Sequence, residues 1–589
     1  MKWTSLPKRN TASARMRFFR IVLPGMTLLC SFCVSLSYGQ ELDRLEEIQP
    51  FTLQGNVSGT TTGYSMSGIE RRQTPFSWMF NGAATATVYD VEMPFSFMFA
   101  EREREFHQPF NEFGISPSYK WVKLHLGYRS LSWSRYTMAG MRFAGAALEL
   151  MPQDFQFAVM YGRLARAVEE DPDNPLAVPA YKRTGGGAMA KIGNENGFFQ
   201  VSLFWALDDT ASLARQPSYI LPQENVAAAF GAYFVAFDWL TAELDVGACF
   251  LTNNLFSPEL SGSGLSGGKQ QSRVRHFKRF FDLRTSSTLS FAMKTGLLFR
   301  FPWMNARLDY EIIEPEFTAF GAYYFNSDIQ NLTLAPSFQL FDGAVRVTAS
   351  GGVQSDNVGN TKTATTTRLI TSANIGWSPN NVWNIDAMFS NYATSQAATR
   401  EPLNDSIRVR NVNTSISLTP RMMLESDALR HVVTLAAGTM VYDDMNIVTG
   451  RFSGSSTTTT SLSYNLGFKE TPWTTGAAIN WSNTETAFGV TKNVGFAING
   501  ATSFFESALS LSLTIGYSSI TVGSADASGV LTQTLGVGYR ASNDDQFTFS
   551  LTGSQNGGGS EINPAYREYT ATVNYNRAIS WTPSGADTP

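Results

Sequence analysis

Leu509-Ser510-Leu511-Ser512-Leu513-Thr514-Ile515-Gly516-Tyr517-Ser518 decides how this chain folds, because every second residue is apolar and every residue between is small or polar. A strand turns successive side chains to opposite faces, so one face of this segment suits hydrocarbon and the other suits water. The same zigzag returns at Leu462, Tyr464, Leu466 and Phe468, and at Tyr569, Ala571, Val573, Tyr575, Ile579 and Trp581. From Phe51 to Trp581 such segments run eight to fifteen residues with aromatics at their ends. About ten alternating residues cross a bilayer as a tilted strand, and aromatic girdles mark the headgroup level.

Composition separates a membrane barrel from a soluble sandwich, whose strands also alternate. Of 589 residues only 16% are charged, against roughly 25% in an ordinary soluble protein. The polar faces carry Ser, Thr, Gly, Asn and Ala rather than Lys and Glu, over more than five hundred residues without a domain linker. Beyond residue 40 no apolar run approaches the 18 residues of a membrane helix. The apolar stretch Val226–Phe237 ends at Asp238 after twelve residues and reads as a strand paired with Ala242–Phe250, which turns Cys249 inward. A net charge of −4 argues against nucleic acid as a partner.

Basic residues Lys2, Lys8, Arg9, Arg15, Arg17 and Arg20, then an apolar stretch from Ile21 to Leu36, then Ser37-Tyr38-Gly39, read as a secretory signal peptide over 1–39. A short periplasmic segment follows at 40–50, then a barrel over 51–581 and a tail at 582–589. Short connections such as Phe341-Asp342-Gly343 alternate with longer polar ones such as 169–183, 209–224 and 254–284. Outer-membrane barrels have short periplasmic turns and longer external loops. The expectation is an all-β fold: one large transmembrane antiparallel β-barrel of about 26 strands, within a range of 22 to 28, both termini periplasmic, in the outer membrane of a Gram-negative cell. Its surroundings are outer-membrane lipid and lipopolysaccharide, with another envelope protein or lipoprotein as a possible companion.

Lys123–Gly140 (KLHLGYRSLSWSRYTMAG), Met160–Arg163 (MYGR) and Glu314–Asp356, with its Glu-Pro-Glu-Phe, Gly-Ala-Tyr-Tyr-Phe-Asn and Pro-Ser-Phe runs, resemble segments of a family of uncharacterised outer-membrane barrels of the Bacteroidota type. Arg135 stands where that pattern has proline. The resemblance implies export, a barrel and outer-membrane residence, and it brings no substrate and no catalytic residue.

A barrel this wide needs filling or leaves a broad lumen. Nothing resembling the plug domain of TonB-dependent transporters precedes the first strand, and no composition shift marks the inserted domain of an usher. Inward-folded loops are the remaining plugs. The best is 313–330, because Phe317, Phe320, Tyr323, Tyr324 and Phe325 need somewhere to bury their rings; the alternative is an ordinary strand pair. Weaker candidates are 107–119 and 133–140, with Arg135 and Tyr136 near the rim. Polar faces also project charge into the lumen at Lys123, His125, Arg129, Glu243, Asp245, Arg307, Asp309, Glu311 and Arg346. Such groups either tune solute selectivity or pair across strands to stiffen the wall. Lys269, Arg273, Arg275, Lys278 and Arg279 make the external loop 257–284 a candidate anion site.

Once Cys30 and Cys33 leave with the signal, Cys249 has no disulfide partner, and His107, His125, His276 and His431 show no ligand spacing. No cofactor, metal or catalytic residue is expected, and no carboxylate partner for a histidine is legible. The leading functional expectation is a large channel or porin-like transporter for hydrophilic solutes with a loop-based constriction. The alternative is a non-conducting barrel serving a secretion or surface-assembly apparatus.

Overall fold

The computed structural model describes residues 51–582 except 90, 102–111, 171–177, 260–282, 324–325, 400–407, 524–527 and 559–563. The proposed signal peptide, the 40–50 segment and nearly all of the tail fall outside the described residues. Twenty-eight strand segments join into one sheet. Glu112–Ile115 and Ser118–Tyr119 together make one broken wall strand between Val91–Ala100 and Val122–Ser132. Gly321–Ala322 lies off the wall, paired in parallel with Met138–Gly140. The wall therefore has 26 strands, each antiparallel to its neighbours. It closes where Thr52–Ser67 pairs with Tyr566–Trp581 from Leu53↔Trp581 to Ser67↔Arg567. Closure removes the unpaired sheet edges that lipid cannot satisfy.

The two ends of the barrel differ in the way that outer-membrane proteins differ. The start of the first strand, Thr52, and the end of the last, Trp581, lie at the end carrying the short turns, such as Asp238-Trp239, 301–303 and 541–544. That end is the periplasmic one. Its aromatic girdle is continuous in places: Trp239 stacks on Phe237, Phe299 and Phe301 at 5.3, 6.4 and 6.0 Å, and Phe51 meets Trp581 at 5.1 Å. The other end carries the longer connections, although 487–488 is a tight two-residue turn there, so the alternation of short and long is not strict.

Strand lengths of mostly 10 to 16 residues exceed what a bilayer requires. Leu462, Ile479, Phe496, Ile498, Leu513 and Tyr517 are all exposed on the outer face, where lipid replaces water. Val226–Phe237 belongs to the strand Glu224–Phe237, paired with Leu240–Thr252 across the Asp238 turn.

Inside, the barrel is lopsided. The main cluster of buried apolar side chains runs from Leu131 to Ile329. Among the described residues, no hydrophobic side chain beyond Ile329 is buried.

Candidate functional site

The inner cluster exists because two external loops turn into the barrel instead of away from it. The first joins Val122–Ser132 to Met138–Leu150 and consists of Trp133-Ser134-Arg135-Tyr136-Thr137. The second joins Met304–Ile313 to Ile329–Leu340 and spans 314–328. Tyr136 and Phe317 are both 0% exposed and meet edge to face at 5.6 Å. Such a pair adds stabilisation of about 1 kcal/mol beyond the area it buries. Tyr136 fits because the wall behind it is Gly247: a β-carbon there would sit 2.5 Å from that of Tyr136.

Polar groups fix the register of both loops. The Ser134 hydroxyl donates to Asp245 at 3.0 Å, Gln200 Nε2 donates to the Trp133 carbonyl at 2.6 Å, and Thr137 shares a hydrogen bond with Ser202 at 2.8 Å. For the second loop, Asn225 Nδ2 donates to the Thr318 carbonyl at 2.7 Å while Asn225 Oδ1 accepts from the Phe320 amide at 3.1 Å. The Cys249 thiol, turned inward, donates to the same Thr318 carbonyl at 3.0 Å. Arg183, held by Asp208 through bonds of 2.7 and 2.9 Å, lies 3.6 Å from the centre of the Phe320 ring. At the far end Asp328 binds Lys362 of the loop after Val345–Asp356. That hydrogen bond holds the Lys362 ammonium above the usual lysine range.

Of the candidate constriction residues, Phe317 and Phe320 are buried with Ala319 between them. Tyr323 corrects the expectation of five buried rings: it is 57% exposed, its hydroxyl accepting from the Arg142 amide at 3.1 Å. Tyr324 and Phe325 lie outside the described residues. Tyr136 is also a correction. It sits deep against the wall rather than at the rim, because Gly247 leaves it a slot. Within 107–119, the described part, 112–119, is a wall strand and not an inward loop.

The candidate lumen charges mostly meet partners. Arg307 bridges Glu243 at 2.7 Å and Asp309 at 2.8 Å, and Glu311 binds Arg135 at 2.7 Å. Asp245 holds Ser134 and lies opposite Lys294 in the register. His125 does have a carboxylate partner, contrary to expectation: Nε2 lies 2.8 Å from Glu149, and Nδ1 lies 2.9 Å from the Ser116 hydroxyl. Arg129 donates to that same Ser116 oxygen at 2.7 Å and to Ser96 at 2.8 Å. Ser116 is 5% exposed and its oxygen is capped by Arg129. The Arg129–Ser116–His125–Glu149 chain therefore ties the broken strand, interrupted at Ser116-Pro117, into the wall. Gly114 helps, since a β-carbon there would collide with the Arg129 guanidinium at 2.8 Å. Lys123 pairs in register with Glu149, and Arg346 stands exposed across the lumen on Val345–Asp356. Lys269, Arg273, Arg275, Lys278 and Arg279 lie outside the described residues.

Sequence reasoning missed Ser116, Glu149, Gly247, Asn225 and Arg183. Their roles depend on which strand lies beside which, and only the Trp-Ser-Arg-Tyr-Thr run carried a local signal.

No family model matches the chain, and no curated protein matches it by sequence. Solved structures that share a barrel include the usher in an E. coli P pilus tip assembly intermediate, at 10% identity and a TM-score of 0.38, covering 92% of this chain and 62% of that one. They also include the copper transporter OprC, at 9% identity and a TM-score of 0.39, covering 89% and 80%. An anion-selective porin from Comamonas acidovorans matches at 8% identity and a TM-score of 0.26, covering 64% and 93%. The chain thus spans less than two thirds of the usher's length. These likenesses go no further than fold. The chain is a large outer-membrane β-barrel.

Proposed function

We propose that this barrel is a channel for hydrophilic solutes across the outer membrane, constricted from one side by the 133–137 and 314–328 loops. The observation that carries this reading is the lopsided interior. The loops occupy the sector walled by 122–340, where buried rings, hydrogen bonds and ion pairs hold them. Across from them the wall strands between 345 and 581 present polar side chains with no buried apolar layer over them among the described residues. A 26-stranded wall encloses more space than two loops can fill, since barrels of 16 to 18 strands already hold an aqueous channel.

The resemblance to uncharacterised Bacteroidota-type barrels, the export signal and the basic external loop are compatible with this reading and add no solute to it. The test is conductance of the purified full-length protein in a planar bilayer. A stable open current supports a channel. A sealed barrel that co-purifies with other envelope proteins supports instead a component of a secretion or assembly apparatus.

A further inference from the structure

The seven strands from Ser455–Phe468 to Tyr566–Trp581, together with Thr52–Ser67 beyond the seam, share an unusual inner face. Their registers run without a bulge, so the lumen-facing residues can be followed from strand to strand. One row reads Ser461, Asn480, Gly495, Ser518 and Val530. Another reads Asn499, Thr514, Thr534, Thr552, Thr570 and Tyr64. Across all eight strands the only charged side chains on this face are Arg540, at the periplasmic end of its strand, and Glu568, near the external end of its own. Eight strands at about 4.8 Å apart make a wall roughly 38 Å across.

This face binds chiefly to itself. Ser461 donates to Asn480 at 2.7 Å, Thr457 meets Thr484 at 3.1 Å, Ser528 donates to Asn556 at 2.8 Å, and Asn574 donates to Thr60 at 3.2 Å. Hydroxyl and amide groups both donate and accept. They exchange hydrogen bonds with a hydroxyl-rich solute as readily as with water, and, carrying no net charge, they favour neither cations nor anions. On the loop-bearing side Arg135 with Glu311 and Arg183 with Asp208 pair one to one, and Arg307 sits between Glu243 and Asp309, so most of the charge there is compensated in place; Arg346 stands exposed between the two sectors.

Resting on the channel reading, we infer that the path runs along this sparsely charged wall, opposite the inserted loops, and that its substrates are uncharged polyhydroxylated solutes of the oligosaccharide class. Ions then cross with little preference of sign, and between Glu568 near the external end and Arg540 near the periplasmic end neutral glycans pass a wall of hydroxyl and amide groups.

The experiment uses the full-length protein in planar bilayers. In a KCl gradient the wild type is expected to show a cation-to-anion permeability ratio within about twofold of one. A neutral maltodextrin series is expected to block the current in a length-dependent way. The Thr534→Lys/Thr570→Lys variant is expected to shift the ratio toward anions by roughly threefold or more, and Thr534→Asp/Thr570→Asp to shift it as far toward cations. Heat-modifiable migration on gels confirms that each variant has closed its barrel. Four results overturn the inference while leaving a channel in place: strong ion selectivity in the wild type, no response to maltodextrins, block by an unfolded polypeptide but not by dextrins, or closed lysine and aspartate variants with unchanged selectivity. Absence of any current defeats the channel reading itself.

Discussion

The sector walled by 122–340 and the sector from 455 through the seam to 67 are built from strands of similar length, yet their inner faces obey different rules. In the first, alanines and glycines such as Ala227, Ala229 and Gly247 leave room for rings from the loops, and charges are placed where a loop group meets them. In the second, small hydroxyl and amide side chains face the lumen and bond mainly along the wall. A lumen face packed by protein needs shape and partners, as a soluble core does. A lumen face left to water needs only polarity.

The largest test of that contrast is excision of 315–323 with a short Gly-Ser link. Single-channel conductance should rise severalfold if the constriction lies there, while an equal excision in the loop after Leu429–Asp444 should change it little. Phe317→Ala should approach the same state, because losing a fully buried ring costs on the order of 3–5 kcal/mol. Protease accessibility of the 314–328 segment measures the release. Gly247→Val comes next. Its side chain takes the Tyr136 slot, so the first loop should be expelled while the barrel still closes, giving higher conductance with normal heat-modifiability. Asn225→Ala should act more weakly, at about 1–3 kcal/mol for the Phe320 amide left without its acceptor, the Thr318 carbonyl keeping the Cys249 thiol, seen as more frequent openings. Arg135→Gln should be smallest. Its side chain is 44% exposed, so the Glu311 ion pair is worth at most about 1 kcal/mol, and a double-mutant cycle with Glu311→Gln measures it.

Legibility divides along the same line. The open sector could be read nearly in full from sequence, since Leu509–Tyr517 and Tyr569–Trp581 announce both of their faces by period alone. The aromatic run from Phe317 to Phe325 announced an ill-fitting loop, though not that Tyr323 would stay in the open. What stayed hidden needed register. His125 finds Glu149 only because Val122–Ser132 lies beside Met138–Leu150, and Gly247 receives Tyr136 across 111 positions of chain. A single sequence carries no record of which strands become neighbours or how they slide.

The closing seam between Thr52–Ser67 and Tyr566–Trp581 joins segments about five hundred residues apart. The first strand therefore has its second neighbour only after the last one has been exported. Until then the sheet has two raw borders, each a template for pairing with another chain. Assembly of so large a cylinder must be guarded for the whole time it takes to deliver the chain, and deleting the closing strand Tyr566–Trp581 should jam insertion outright rather than leave a slightly narrower barrel.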